Sequence, residues 1–242
     1  VAHPQQVPMA RRGRSTPAEA LDVQRHLAGC IAHDLNNYLT AILGYGELLE
    51  DRFADDESAT RFLRDLLQAS GRAQNFSRQL QAFSGRLVMD PQRADLNELL
   101  FDVEDELLDI LGPGIDLRIE TDNRLPDVEV DVRHVKSMLR WLAEDAVGAM
   151  GSEGKVCIRT RALTNSVDRC PAALLVCEDS GTPPEESDRR RYFEPFRKGP
   201  GLPKGVARTG VAGVARHHGG SAEMEAREEG GRRIRIVLPA AP

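Results

Sequence analysis

Residues 28–49 read AGCIAHDLNNYLTAILGYGELL, and this stretch decides how the first part of the chain folds. Its apolar residues recur at alternating steps of three and four, a spacing that places them on one face of a helix. This stripe consists of Ala28, Ile31, Leu35, Tyr38, Ile42, Tyr45 and Leu49. A matching stripe follows a short polar link near residues 53–58, and it consists of Phe62, Leu66, Ala69, Ala73, Phe76, Leu80 and Phe83. The pattern predicts two helices, between about residues 18 and 85, that return antiparallel as a hairpin.

The two apolar stripes are too extensive for one hairpin to bury. Two copies of the hairpin can cover both stripes by forming a four-helix bundle. We therefore expect a homodimer that forms through a helical domain at residues 18–88. A disordered leader is expected before it, at residues 1–17.

Beyond residue 89 the periodicity changes, and segments of helix and strand alternate to the end of the chain. Asp95 is suited to cap a helix over residues 96–111, and Gly112 to end it. Further helices are expected at residues 133–150 and 206–217, strands at 115–120, 128–130, 155–162, 173–178, 222–226 and 232–238, and a long loop at 180–204. The fold class is therefore predicted as α+β, with the helical hairpin followed by an α/β sandwich over residues 89–242.

The composition of the chain excludes several classes of protein. The chain has 242 residues, of which 40% are apolar and 29% charged, so it is neither collagen-like, mucin-like nor wholly disordered. It has no run of about 20 uncharged apolar residues and no apolar signal-peptide segment, so we expect no membrane span and a cytoplasmic location. The net charge of -6 argues against nucleic acid as a partner. The four cysteines form no CxxC pair, which favours reduced thiols.

His33 is the candidate for chemistry on the first helix. It lies between positions of the apolar stripe and should face outward, with Asp34 beside it and Asn37 one turn further on. A neutral imidazole is a good nucleophile, and a neighbouring carboxylate can fix its tautomer and accept its proton. Asn37 could orient a water or a phosphoryl oxygen. On composition alone, however, an exposed His beside an Asp is usually part of a solvated helix face.

The string over residues 29–50 closely resembles the H-box of bacterial sensor histidine kinases. The resemblance implies that His33 is the phosphoacceptor, Asp34 its acid/base neighbour and Asn37 a residue of phosphatase chemistry. It also implies a dimerisation and histidine phosphotransfer domain, followed by an ATP-binding α/β sandwich of the GHKL type.

Two strings in the second domain look like nucleotide-binding boxes of that family. Phe193-Glu194-Pro195-Phe196 resembles the F-box at the start of the ATP lid. Asp179-Ser180-Gly181 resembles the start of the G1 box, where Asp179 would accept a hydrogen bond from the adenine amino group. The resemblance thus assigns Asp179, Gly181, Phe193 and Phe196 to nucleotide binding. A plain turn at the end of a strand is the alternative for the Asp-Ser-Gly string.

Three departures from the family pattern weaken the expectation of ATP and Mg²⁺ as cofactors. Asp145 stands where the N-box has its magnesium-binding Asn; Asp can also bind magnesium, but its charge lies close to the triphosphate. Pro183 removes a backbone donor from the G1 run. The G2 run is reduced to Gly205-Val206-Ala207-Arg208, which leaves one glycine where backbone should approach phosphate. Cations of the loop could bind phosphate, although a solvated lid is the favoured interpretation.

The first hypothesis is a phosphorelay protein in which His33 exchanges a phosphoryl group with an Asp of a response-regulator receiver domain. The degenerate ATP-like domain then serves for docking, as in phosphotransferases that look like kinases with degenerate ATP domains. One alternative is an ATP-dependent histidine kinase that autophosphorylates His33, and another is a non-enzymatic dimeric scaffold. The expected partners are the receiver domain, near Asn36 and Tyr45, a second copy of the chain, and an upstream sensor or hybrid kinase.

Overall fold

The computed structural model describes residues 17–85, 89–164, 171–194 and 207–242. The helices are α1 Pro17–Arg52, α2 Glu57–Ser84, α3 Leu96–Phe101, α4 Glu104–Leu111, α5 Val132–Met150, α6 Glu186–Arg189 and α7 Ala207–His217. The strands are β1 Gln92–Ala94, β2 Ile115–Glu120, β3 Val128–Val130, β4 Gly154–Thr164, β5 Pro171–Asp179, β6 Ser221–Ala226 and β7 Arg232–Pro239. Residues 1–16 lie outside the described ranges, so the leader stays a prediction.

Helices α1 and α2 form the predicted hairpin. The Asp56 carboxylate accepts hydrogen bonds from the amides of Ser58 and Ala59, which caps α2 at its start. Gly85, at φ +82°, ends α2 in the left-handed conformation that glycine adopts at low cost. The Ser77 hydroxyl donates to the carbonyl oxygen of Ala32 at 2.7 Å and joins the two helices across their contact.

On α1, the buried residues that contact α2 lie outside the predicted apolar stripe, whereas on α2 they include Leu80 of that stripe. Ala32, Leu39 and Leu80 are buried between the helices, and Gly46 lies against Leu67 so closely that a Cβ atom would clash. The stripe predicted on α1 is instead largely exposed in the single chain. The exposed large apolar side chains of the hairpin are Val23, Leu27, Ile31, Tyr38, Ile42, Tyr45, Leu48, Leu49, Phe53, Phe62, Leu66 and Phe76. The offset arises because small residues of α1 allow the closest approach to α2.

The remaining elements form the predicted α/β sandwich. A five-stranded sheet has the order β2-β4-β5-β7-β6, in which β2 and β4 are parallel and the other neighbours antiparallel. Strands β1 and β3 form a separate antiparallel pair. Helices α4, α5 and α7 supply Leu107, Leu139, Leu142 and Val211 to a core shared with the inner face of the large sheet. The predicted fold class, a helical hairpin followed by an α/β sandwich, is confirmed.

The structure corrects the second part of the chain in three places. The helix expected over residues 96–111 is broken into α3 and α4, because buried Val103 begins a new helix while Asp102 pairs with Lys136 of α5. Strand β1 was missed since its three residues show no alternation of burial. The short helix α6 lies inside the stretch expected to be a loop, of which residues 195–204 are outside the described ranges. Among the described helices, none combines the length and apolarity needed to cross a membrane.

Candidate functional site

His33 lies on the outer surface of α1, as its position between stripe residues predicted. Its side chain is 69% exposed, and its Nδ1 atom is 3.3 Å from Oδ1 of Asp34. Asn37 is also exposed, one helical turn further on. Because Asp34 is next to Nδ1, the tautomer with a proton there leaves the lone pair of Nε2 free to attack an electrophile.

His33 borders a cleft of about 590 Å³ between the hairpin and α5. Asn36 of α1 and Arg78 and Gln81 of α2 line one side. The other side consists of α5 residues, namely Arg133, His134, Lys136, Ser137, Arg140 and Trp141. The second domain therefore places cationic side chains in the wall of the cleft that His33 borders. The sequence contains a signal for this surface, since Arg133, Lys136 and Arg140 recur at helical spacing. The surface was missed because the sequence does not show that this face of α5 lies opposite the hairpin that carries His33.

Ion pairs hold the cations of the cleft in place. Lys136 Nζ is 2.9 Å from Asp102, and the Arg140 guanidinium bonds both oxygens of Glu106 at 2.5 and 2.9 Å. Arg133 pairs with Asp131, yet its side chain remains 73% exposed. These exposed or half-exposed pairs add little stability, but they restrict where the positive charges can lie.

A polar cluster fixes α5 against α2 beside the cleft. The Trp141 Nε1 group donates to Asn75 at 2.8 Å, and Asn75 donates to Glu144 at 2.6 Å. Gln79 donates to the other oxygen of Glu144 at 2.9 Å. Burial raises the pKa of Glu144, although these two amide donors oppose the shift. Glu144 thus faces the hairpin and joins the two parts of the fold.

Asp145, the next residue of α5, points the other way into a buried cluster with Asp179. Arg232 of β7 lies between them and is fully buried. Its Nη2 atom is 2.7 Å from Asp179 Oδ2 and 3.1 Å from Asp145 Oδ2, while its Nε atom is 3.0 Å from Asp179 Oδ1. The Tyr192 hydroxyl donates to Asp145 Oδ2 at 2.5 Å and accepts a hydrogen bond from Arg232. The sequence prediction brought Asp145 and Asp179 to one site but missed Arg232 and Tyr192.

The protonation states of this cluster follow from burial and charge. Burial raises the pKa of Asp145, although the Arg232 cation and the Tyr192 hydroxyl favour its ionised form. Burial and the Asp145 charge both raise the pKa of Tyr192, so the phenol keeps its proton. For Arg232, burial alone would lower the pKa, but Asp145 and Asp179 outweigh it and raise the pKa. The cluster is held together by a permanent cation.

Asp179 and Asp145, two of the residues predicted to bind Mg-ATP, do not fit it in this arrangement. Each oxygen of Asp179 accepts from Arg232, and Oδ1 also accepts from the Gly181 amide at 2.8 Å, so the acceptor positions an adenine amino group would need are taken. Asp145 Oδ1 is a buried oxygen without a hydrogen-bond partner among the described residues, whereas Oδ2 of the same carboxylate lies 3.1 Å from the Arg232 guanidinium, a cation that would repel a metal ion. Within the described ranges, no group of three or more His, Cys, Asp or Glu side chains is placed to hold a metal.

Of the other residues predicted to bind nucleotide, some lie within the described ranges and some outside them. Phe193 packs edge-on against Tyr192, with ring centroids 5.2 Å apart. Gly181 packs so tightly that a Cβ atom would lie 2.7 Å from Ala149 Cβ. Gly205 and Phe196 lie outside the described residues, as do Arg197, Lys198 and Lys204 of the expected lid.

Comparisons with known proteins agree with this architecture. Residues 23–84 match the model of the His Kinase A (phospho-acceptor) domain. The sensor kinase CckA of Brucella abortus is 28% identical over 241 residues, which cover 95% of this chain and 26% of that protein. The signal transduction histidine-protein kinase AtoS of Escherichia coli is 27% identical over 235 residues, covering 95% of this chain and 37% of that protein. The chain thus spans well under half the length of these relatives.

Solved structures show the same fold. Full-length ShkA in complex with AMPPNP superposes with a TM-score of 0.66 at 18% identity, covering 90% of this chain and 47% of that one. Histidine kinase ThkA in complex with the response regulator protein TrrA gives a TM-score of 0.56 at 24% identity, covering 93% of this chain and 64% of that one. Because the curated relatives are named kinases, the comparisons fit the ATP-dependent alternative better than the phosphotransfer hypothesis. The chain is therefore similar over nearly its whole length to two-component sensor histidine kinases, and its match to the His Kinase A domain is followed by an ATPase-like α/β domain.

Proposed function

We propose that the protein transfers phosphoryl groups in two-component signalling and that His33 carries the phosphoryl group. The observation that carries this proposal is the position of His33, exposed on α1 inside the matched domain, beside Asp34 and at the edge of a cationic cleft. An exposed imidazole next to a carboxylate is suited to nucleophilic attack on phosphorus. Asn37 is proposed to orient a phosphoryl oxygen or a water from the next turn.

The proposed reaction exchanges the phosphoryl group with an Asp carboxylate of a receiver domain. The Nε2 lone pair attacks the phosphorus of the acyl phosphate, an N–P bond forms, and the P–O bond to the receiver carboxylate breaks. The electron pair of that bond stays on the carboxylate. The imidazole becomes a phosphorylated imidazolium, whose Nδ1 proton is held by Asp34. The reverse reaction returns the phosphoryl group to the receiver.

A response-regulator receiver domain is the proposed partner. The similar structure of ThkA with the response regulator protein TrrA supports this assignment by analogy. The cleft beside His33 supports it physically, because its arginine and lysine side chains suit an acidic partner surface and a phosphoryl dianion. The proposed interface includes Asn36, which lines the cleft, and Tyr45, which is 70% exposed further along α1.

A second copy of the chain is the other proposed partner. Among its described residues, the hairpin leaves twelve large apolar side chains exposed, and exposed apolar patches on soluble proteins commonly mark interaction sites. A four-helix bundle formed by two hairpins would bury these side chains. The upstream sensor or hybrid kinase and the cytoplasmic location expected from sequence belong to the same proposal.

The source of the phosphoryl group separates two candidate functions. The names of the curated relatives favour ATP, which makes the protein an ATP-dependent histidine kinase. The engagement of Asp179 and Asp145 by Arg232 favours exchange with a receiver, with the second domain used for docking. We propose exchange as the principal function because it requires no rearrangement of this buried cluster.

Label transfer decides between these functions. The full chain is incubated with γ-labelled Mg-ATP, or with a receiver domain labelled at its Asp, and protein-bound acid-labile phosphate is measured. We expect label from the receiver on wild type and on His26→Ala, an exposed-histidine control on the same helix, and none on His33→Ala. Labelling of His33 from ATP would instead establish the kinase. Absence of label from either donor would leave the dimeric scaffold.

A further inference from the structure

We propose that Arg232 is a built-in occupant of the nucleotide site, a side chain that takes the place of Mg-ATP between Asp145 and Asp179. The domain then folds and docks on the hairpin without nucleotide. This inference rests on the proposed function and deepens it, since it explains why a histidine-kinase fold would use a receiver as its phosphoryl donor.

The first support is the position of Arg232 in the sheet. It is the register partner of Asp179 on the neighbouring strand, and directly opposed residues on antiparallel strands have adjacent side chains. Arg232 also shares the buried face of β7 with Ile234, Ile236 and Leu238. The guanidinium is therefore placed by backbone pairing and cannot leave without exposing or rearranging that face.

The second support is charge balance. Asp145 and Asp179 bring two negative charges into a dry region, and Arg232 and Arg208 bring two guanidinium groups. Arg208 donates from Nε to the carbonyl oxygen of Tyr192 at 2.7 Å. A buried charge is tolerated when it is paired and hydrogen-bonded, so this cluster already satisfies the electrostatic need that a metal ion would otherwise meet.

The third support is the space that the cluster fills. Tyr192 is fully buried, and two guanidinium groups lie over its ring, with that of Arg208 5.6 Å and that of Arg232 5.8 Å from the ring centroid. Its hydroxyl group bridges Arg232 and Asp145. Entry of an adenine ring next to Asp179 would have to displace a cation that bonds both carboxylates.

The direct test is calorimetric titration of the full wild-type chain with Mg-ATP. We expect no saturable heat up to millimolar nucleotide. Saturable binding in the micromolar range would overturn the proposal, because it would show that Arg232 does not keep the site closed.

A second test asks whether the cluster needs a cation. Arg232→Ala removes the guanidinium, and Arg235→Ala is its matched control on the same strand, where Arg235 pairs with Glu225 on the more exposed face. We expect Arg232→Ala to lower the melting temperature by roughly 10 °C, since it leaves buried carboxylates unpaired, and the control to change it by about 1 °C. Free guanidinium at a few tens of millimolar should restore part of the loss in Arg232→Ala alone, whereas equal urea or sodium chloride should not.

Equal melting temperatures for Arg232→Ala and Arg235→Ala would overturn the proposal, and so would a guanidinium effect no larger than that of the salt. If Arg232→Ala does not fold, Arg232→Lys serves instead, because it keeps the charge but loses the planar fork. The lysine variant should fold with an intermediate melting temperature and still bind no Mg-ATP; micromolar binding by it would count against the proposal. Failure of receiver exchange at His33 without ATP binding would refute the proposed function and leave this inference standing.

Discussion

Gly213 sets how closely the second domain approaches the hairpin, and replacing it with Ala should loosen that contact. A Cβ atom at Gly213 of α7 would lie 2.5 Å from the carbonyl carbon of Ala82 and 3.0 Å from the amide nitrogen of Phe83, both backbone atoms of α2. No side-chain rotation can relieve such a clash, so α7 must move away from α2. Overpacking of this kind costs roughly 1–3 kcal/mol, and the upper part of that range applies because backbone must shift.

The expected net effect of Gly213→Ala includes the helix propensity that Ala gains. Ala is favoured over Gly inside a helix by about 1 kcal/mol. A steric cost of about 3 kcal/mol then leaves a net loss of about 2 kcal/mol, or roughly 4–8 °C in melting temperature for a chain of this size. The receiver should also exchange phosphate with His33 more slowly, since the α5 side of the cleft moves with α7.

Gly71→Ala is the matched control for this substitution. Gly71 is an exposed glycine within α2, and a Cβ atom added there would meet nothing within 4 Å. This variant should gain about 0.5–1 kcal/mol from helix propensity. Thermal unfolding of the two variants, followed by circular dichroism, measures the difference. A Gly213→Ala protein as stable as Gly71→Ala would refute the close approach of α7 and α2.

Further predictions concern the site, the dimer and pH. Asp34→Asn should slow receiver exchange at His33 about 100-fold or more by removing the proton acceptor, with folding unchanged in circular dichroism. Arg140→Glu should reduce the rate about tenfold at low salt and less at high salt; a rate independent of salt in both proteins would count against an acidic partner surface. Ile42→Lys should convert the dimer to monomer in sedimentation, and an unchanged mass would exclude this face as the interface. Burial lowers the pKa of His134 and of His218, so the folded state favours their neutral forms. The free energy of unfolding should therefore fall as the pH drops below about 6.5, where the histidines of the unfolded chain take up protons. A urea midpoint that stays constant between pH 7 and 5.5 would contradict this prediction.

Periodicity was sufficient to predict most of the elements, because most of them bury one face. Strand β2 and strand β3 were placed at their observed ends, and α5 differs by one residue at its start. The contact face of α1 was misplaced by about one residue because large apolar side chains dominate a hydrophobic pattern, whereas Gly46 and Ala32 allow close packing. Which stripe faces α2 and which faces a second copy depends on packing that the pattern alone does not distinguish.

The sequence did contain a signal for Arg232. Strand residues two apart share a face, so the inward positions Ile234, Ile236 and Leu238 imply that Arg232 also points inward. A cation on the buried face of a strand requires a partner. Its partner, Asp179, could not be identified without the register between β5 and β7, and that register is set by tertiary packing.

Helix α5 connects the buried cluster to the cleft beside His33, and this connection gives the closed site a role in phosphotransfer. Two consecutive residues of α5 contact different parts of the molecule. Glu144 accepts hydrogen bonds from Asn75 and Gln79 of α2, whereas Asp145 accepts one from Tyr192 and pairs with Arg232. Because these two contacts are made from adjacent positions, α5 cannot rotate to change its contact with α2 without also disturbing its contact with the buried cluster. Loss of Arg232 should therefore slow receiver exchange at His33 although the two residues are on different elements, and Mg-ATP should not restore the rate. Restoration by guanidinium, measured in the same label-transfer assay, would show that the cation inside the ATPase-like domain positions the cleft outside it.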